Sequence, residues 1–179
     1  MGNLHFGAPP ALLLELKQLS GARMFIETGT YLGNTTLLAA DLFRAVVSVE
    51  NSPQYFEQAQ EACLDKPNIF LILGDSKDEL PEIARAIKQP VIVWLDAHMM
   101  RGSKSKPGDS PVLEELDALQ PAKHNVYVMI DDASIYASGR TGWPSLDEVK
   151  EKLGETHSVS VVEDVIVGIP RNGATPCMT

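Results

Sequence analysis

The stretch Met24-Phe25-Ile26-Glu27-Thr28-Gly29-Thr30-Tyr31-Leu32-Gly33-Asn34-Thr35-Thr36 decides the fold. MFIET (24–28) has the length and apolar content of a buried strand. Gly29 to Gly33 reads as a loop, and Asn34 suits the cap of a helix running to about Phe43. A strand, a glycine turn and a helix in that order open a βαβ unit. Upstream, Leu12, Leu13, Leu16 and Leu19 have helical spacing, and Gly21 stops that helix. Downstream the pattern recurs. AVVSVE (45–50), IFLIL (69–73), VIVWLD (91–96) and NVYVMID (125–131) are further strands. Helices between them are marked by Tyr55, Phe56, Ala59 and Cys63, then Leu80, Ile83, Ala84 and Ile87, then Val112, Leu113, Leu116 and Leu119. Leu146, Val149 and Leu153 give a last helix, and HSVSVVE (157–163) with VIVGIP (165–170) reads as an antiparallel hairpin. The fold class is therefore α/β, a mostly parallel sheet with helices on both faces. Its first five strands are expected to be buried on both sides. Two stretches, 97–110 and 132–144, show no periodicity and are expected to be loops.

At roughly 100–200 residues per domain, 179 residues make a single domain, 1–179, with no linker or repeat dividing it. Fifteen Lys+Arg against 24 Asp+Glu give a net charge of −9, which disfavours a phosphate-backbone partner. No apolar run approaches the roughly 18 residues that span a bilayer, and the first residues lack the basic leader of a secretory signal. Cys63 and Cys177 match no metal or redox spacing. Free thiols fit a reducing cytoplasm. The N-terminal helix offers a surface for a homo-oligomer.

Ligands of open α/β sheets sit beyond the carboxyl ends of the strands, where strand order reverses. Here each of the first five strands ends in, or within two residues of, an acid: Glu27, Glu50, Asp75, Asp96 and the pair Asp131-Asp132. Acids at strand ends also cap helices, so each alone has a structural explanation. Together they form a rim that repels itself unless a cation or a hydroxyl-rich ligand sits there. The glycines read G-x-x-x-G rather than the G-x-G-x-x-G of dinucleotide binders, and Glu27 opposes a pyrophosphate. The ammonium and sulfonium of S-adenosylmethionine suit a carboxylate beside a close-approach glycine loop. Glu50, 21 residues after Gly29, is placed to accept both ribose hydroxyls, and Asp75 with Ser76 to reach the adenine amino group. Gly74-Asp75-Ser76 also matches the G-D-S of a lipase family, but the D-x-x-H which that chemistry needs is missing.

In order and spacing, E-T-G-T-Y-L-G-N-T-T (27–36), V-S-V-E (47–50) and L-G-D-S (73–76) resemble the class I S-adenosylmethionine-dependent methyltransferases. The resemblance implies a Rossmann-like doubly wound sheet of seven strands in the order 3-2-1-4-5-7-6, strand 7 antiparallel. It also implies that Glu27, Gly29, Tyr31 and Gly33 hold the methionine end of the cofactor, with Asp96 beside it. W-L-D-A-H (94–98) and M-I-D-D-A (129–133) are similar to the metal-dependent sugar O-methyltransferases of macrolide and aminocoumarin biosynthesis. Carried over, Asp96, Asp131 and Asp132 are the ligands of a Mg²⁺ ion, and an all-carboxylate set suits such a hard cation. In those enzymes the position two residues after the strand-four ligand is an acidic base. Here it is His98, which can take a proton from a hydroxyl whose acidity a metal raises. His98 can equally be a loop residue touching adenosine or solvent, and Asp131-Asp132 can simply begin a turn.

The expected function is methyl transfer to a hydroxyl of a small-molecule acceptor, a sugar or a relative, with Asp96 and His98 at the reacting oxygen. Arg101, Lys104, Lys106 and Arg140 border the same rim and suit either an anionic acceptor or a solvated lid. Segment 3–10 is long enough to fold over the cofactor. His5, His124 and His157 read as surface or packing residues. Two other classes stay open: an NAD(P)-binding oxidoreductase, and a non-catalytic module that binds the nucleoside without transfer.

Overall fold

A computed structural model of the chain describes residues 7–97 and 110–171. Seven strands form one sheet: β1 (Met24–Thr28), β2 (Ala45–Glu50), β3 (Ile69–Leu73), β4 (Val91–Leu95), β5 (Val126–Ile130), β6 (His157–Val162) and β7 (Val165–Pro170). Their order is β3-β2-β1-β4-β5-β7-β6. The first five are parallel, and β7 enters antiparallel to both β5 and β6. The seven-stranded order expected from the resemblance is the one observed. Among the described residues, seven α-helices connect and cover the strands: α1 (Pro10–Ser20), α2 (Asn34–Leu42), α3 (Pro53–Ala62), α4 (Ser76–Ala86), α5 (Val112–Ala118), α6 (Ala133–Ala137) and α7 (Leu146–Gly154).

The alternation of side chains along a strand sorts the core into two layers. Val93, Leu95, Val128 and Ile130 face Leu80, Leu116, Val149 and Leu153 of α4, α5 and α7. Their neighbours Ile92, Trp94, Tyr127 and Met129 face the other way, with Leu13, Leu16 and Ala39 of α1 and α2. Because β4 and β5 are covered on both faces, all ten of their residues are buried. That is why these strands read as unbroken apolar runs.

Helix ends follow local chemistry. Pro10 begins α1, and Gly21 ends it in the left-handed region with its N–H donating to the Lys17 carbonyl. Asp75 caps α4 by accepting from the Lys77 N–H. Ser145 and Glu148 form a reciprocal capping box at the start of α7.

Several sequence expectations are corrected. β3 is an edge strand and is not buried on both faces: Phe70 is 56% exposed and Leu73 48%. Leu19 is on the outer side of α1. Gly33, rather than Asn34, occupies the N-cap of α2, and Asn34 is its first residue. Stretch 132–144 is not wholly irregular, since it contains α6. The hairpin turn takes two residues, Glu163 and Asp164, with Glu163 at positive φ.

Candidate functional site

β1 and β4 are adjacent although three strands apart in number, so the helices leaving them diverge to opposite faces. In open α/β sheets this reversal of strand order is where a ligand crevice forms, at the carboxyl ends of the strands. Gly29 directly follows β1 at this point. Its φ is +82°, and a Cβ would fall 2.4 Å from the Asp96 carbonyl oxygen, so the turn after β1 touches the backbone leaving β4. The Gly29 N–H donates to Val49 O at 2.9 Å, which ties the same turn to β2. Gly33, at φ +80°, closes the loop by donating to Thr30 O, and its own carbonyl accepts from Leu37 N in α2. Between them Tyr31 adopts a φ of 50°, and its ring meets Tyr55 edge-on at 4.7 Å.

Glu50 ends β2 beside this loop. One carboxylate oxygen accepts from the Tyr31 N–H and the other from the Ser52 N–H, both at 2.9 Å. The side chain is thereby fixed in orientation, and each oxygen keeps a second lone pair for a ligand hydroxyl. Glu27 is placed differently. It is 1% exposed and lies beneath the loop. One of its oxygens, Oε2, accepts from Ser48 Oγ at 2.6 Å and also from Thr36 Oγ1. Because Ser48 spends its only proton on Glu27, Thr30 Oγ1 must donate to Ser48 Oγ across their 2.6 Å contact. Burial lifts the Glu27 carboxyl to about 8. The two hydroxyls oppose the lift, and the charges of Asp96 and Glu50 add to it.

On the β3 side, Asp75 holds the first turn of α4, and its second oxygen lies 3.3 Å from Lys77 Nζ. Ser76 is buried, and its hydroxyl turns toward Glu115 of α5. Glu115 escaped the sequence reading. It is 1% exposed, and burial pushes its carboxyl up to about 7, against the pull of the Ser76 and Thr28 hydroxyls. A signal was present: Glu115 falls three residues after Val112 and four before Leu119, on the inward stripe of the helix.

Asp96 and Asp131 are neighbours in the sheet, each N–H donating into the adjacent strand, to Thr28 O and Leu95 O respectively. Asp131 Oδ1 accepts from the Asp132 N–H at 2.8 Å, and Asp132 takes a left-handed backbone as it enters α6. Among the described residues, no group of three or more His, Cys, Asp or Glu side chains is placed to hold a metal ion. The expected Asp96–Asp131–Asp132 ligand set for Mg²⁺ is therefore not assembled. α6 is held from outside: Asp164, in the hairpin turn, accepts from both the N–H and the hydroxyl of Ser134.

His98, Arg101, Lys104, Lys106, His5 and Cys177 lie outside the described residues. Arg140 lies over the Trp143 ring, 5.2 Å from its centre. Of segment 3–10, Gly7 and Ala8 meet α2, the Ala8 N–H donating to Thr35 Oγ1. His157 is buried and bonded to Val126 O, a packing role. Cys63 is buried under Gly33. No described helix is long and apolar enough to cross a membrane.

The pinned carboxylate, the close-approach glycine and the buried acid fit a ligand with a ribose diol and a cationic amino-acid end. No protein-family model matches the sequence, and a search of curated proteins found no significant match. Solved structures do match. TomG, an O-methyltransferase of tomaymycin synthesis from Streptomyces achromogenes solved with S-adenosylmethionine, is 18% identical; the match covers 88% of this chain and 77% of TomG, with a TM-score of 0.61. Fibrillarin of Aeropyrum pernix, solved with natively bound S-adenosylmethionine, is 19% identical, covers 89% and 73%, and has a TM-score of 0.61. A Staphylococcus aureus protein described as a candidate caffeoyl-CoA O-methyltransferase is 15% identical, covers 90% and 82%, and has a TM-score of 0.63. Strand order, the antiparallel seventh strand and these likenesses together give this chain the fold of the class I S-adenosylmethionine-dependent methyltransferases.

Proposed function

We propose that this chain is an S-adenosylmethionine-dependent methyltransferase that methylates a hydroxyl of a small molecule, a sugar or a relative. One observation carries the reading: Glu50, fixed by the Tyr31 and Ser52 N–H groups, stands beside a glycine turn pressed against the end of β4. In this reading Glu50 accepts the ribose hydroxyls and Asp75 the adenine amino group. Gly29 lets the methionine end lie close to backbone. Glu27 acts from below, as a buried carboxyl whose ionised form is favoured by a cation above it.

When bound, the cofactor supplies an electrophilic methyl group. The chain's contribution is to hold that methyl in line with the acceptor oxygen and to exclude water from the crevice. The acceptor oxygen would take the methyl group as its bond to sulfur breaks, and His98 would take the hydroxyl proton.

Calorimetric titration with S-adenosylhomocysteine tests binding, and a panel of sugar and phenol acceptors with and without chelator tests transfer. Saturable binding with methylation of a hydroxyl is expected. Binding without transfer to any acceptor would reassign the chain as a nucleoside-binding module. Transfer abolished by chelator would bring a divalent ion back into the site.

A further inference from the structure

Glu115 sits where a core residue would be expected. Val112, Leu116 and Leu119 of the same helix stripe are buried apolar side chains, and α5 packs directly on α4. An acid at such a position costs stability unless it is well partnered, and a hydrophobic residue of similar volume would fill the space more cheaply. Partnering here is incomplete. The carboxyl faces the hydroxyls of Ser76 and Thr28 closely enough to feel both. Yet Glu115 Oε1 and Thr28 Oγ1 are buried without completing a hydrogen bond of normal geometry. A buried, half-satisfied polar cluster of this kind calls for an explanation beyond packing.

The residues it faces supply one. Ser76 is the first residue of α4, immediately after Asp75, whose carboxylate caps that helix. Thr28 is the last residue of β1, immediately before Gly29, which presses on the Asp96 carbonyl. Glu115 therefore reaches, from beneath, both the β3 and the β1 segments of the rim. The charged groups that act on it are Asp75 and Asp96, both acids. On α6 it faces Tyr136, whose hydroxyl pairs with Ser110. On α7, Lys152 is bonded to Asp117 instead.

We propose that Glu115 is a positioning residue for the nucleoside end of the cofactor: through Ser76 it sets the first turn of α4 and the Asp75 carboxylate, and through Thr28 it sets the Gly29 turn. The inference rests on the cofactor reading above. A carboxylic acid carries one donor and one acceptor for the two hydroxyls it faces, as the glutamine amide does, whereas leucine carries neither.

The test is S-adenosylhomocysteine affinity by calorimetry on the full chain and its variants, with far-ultraviolet circular dichroism and thermal unfolding as checks of folding. Glu115→Gln should bind within threefold of the parent. Glu115→Leu should weaken binding tenfold or more while keeping the parent's dichroism and melting no lower than the parent. Should Glu115→Leu fail to fold, Thr28→Val takes its place and should weaken binding at least threefold. A folded Glu115→Leu protein, or failing that Thr28→Val, with the parent's affinity would overturn the inference and leave the cofactor reading intact. A parent chain that does not bind S-adenosylhomocysteine would overturn both.

Discussion

Replacing Glu27 by glutamine should flatten the dependence of stability on pH. In the unfolded chain this carboxyl ionises near 4.5, and burial in the fold raises that to about 8. Its stabilising contribution is complete below the unfolded value and is lost as pH climbs through the folded one. Between about pH 5.5 and about pH 7 the folded chain holds a proton that the unfolded chain has released. Stability should then fall by about 1.4 kcal/mol per pH unit from this group, or about 2 kcal/mol across the window. Glu115 titrates in the same direction, from 4.5 to about 7, so the parent's total fall is larger. The informative quantity is the difference between parent and Glu27→Gln, measured by urea unfolding at both pH values. Glutamine keeps an oxygen for Ser48 and Thr36, so the variant should fold. Equal losses in the two proteins would show that Glu27 is ionised in the fold and would refute the argument. The same proton should leave when a cationic ligand binds, visible as a heat that varies with the ionisation enthalpy of the buffer.

Other perturbations follow from the same geometry. Gly29→Ala would place a Cβ 2.4 Å from Asp96 O at a φ of +82°. We expect about 2–4 kcal/mol of destabilisation in urea together with loss of S-adenosylhomocysteine binding, and parental stability would mean the turn can retreat. Glu50→Ala removes the acceptor of the Tyr31 and Ser52 N–H groups. About 1.5–3 kcal/mol of cofactor affinity should go with it by calorimetry, with the fold retained. Asp164→Ala frees both donors of Ser134 and should cost about 1 kcal/mol, with faster amide exchange confined to α6 and the hairpin.

The strands were legible because burial on both faces leaves no polar alternation to blur them, as VIVWL in β4 and VYVMI in β5 show. IFLIL in β3 has the same composition, and composition alone cannot reveal that a strand lies at the sheet's edge. The carboxylate rim was legible through position, since strand ends in such a sheet converge at one crevice. What each acid does there depends on neighbours distant in sequence. Glu27 lies beneath its loop only because Thr36 and Ser48 meet it. Asp131 accepts from its own neighbour's N–H. α6 went unread because five residues carry too little periodicity, and what steadies it, Asp164, comes from a hairpin thirty residues later. Glu115 was hidden in plain sight among leucines, since a stripe is recognised by its apolar members and its exception passes unnoticed.

The uncovered flank formed by β3 has a practical side. Phe70 and Leu73 meet water there, with Leu64 nearby in sequence and more open still. Unpaired backbone along such a flank invites a second molecule to extend the sheet. Concentrated stocks should therefore associate laterally, and a lysine in place of Phe70 would act as a gatekeeper on that flank.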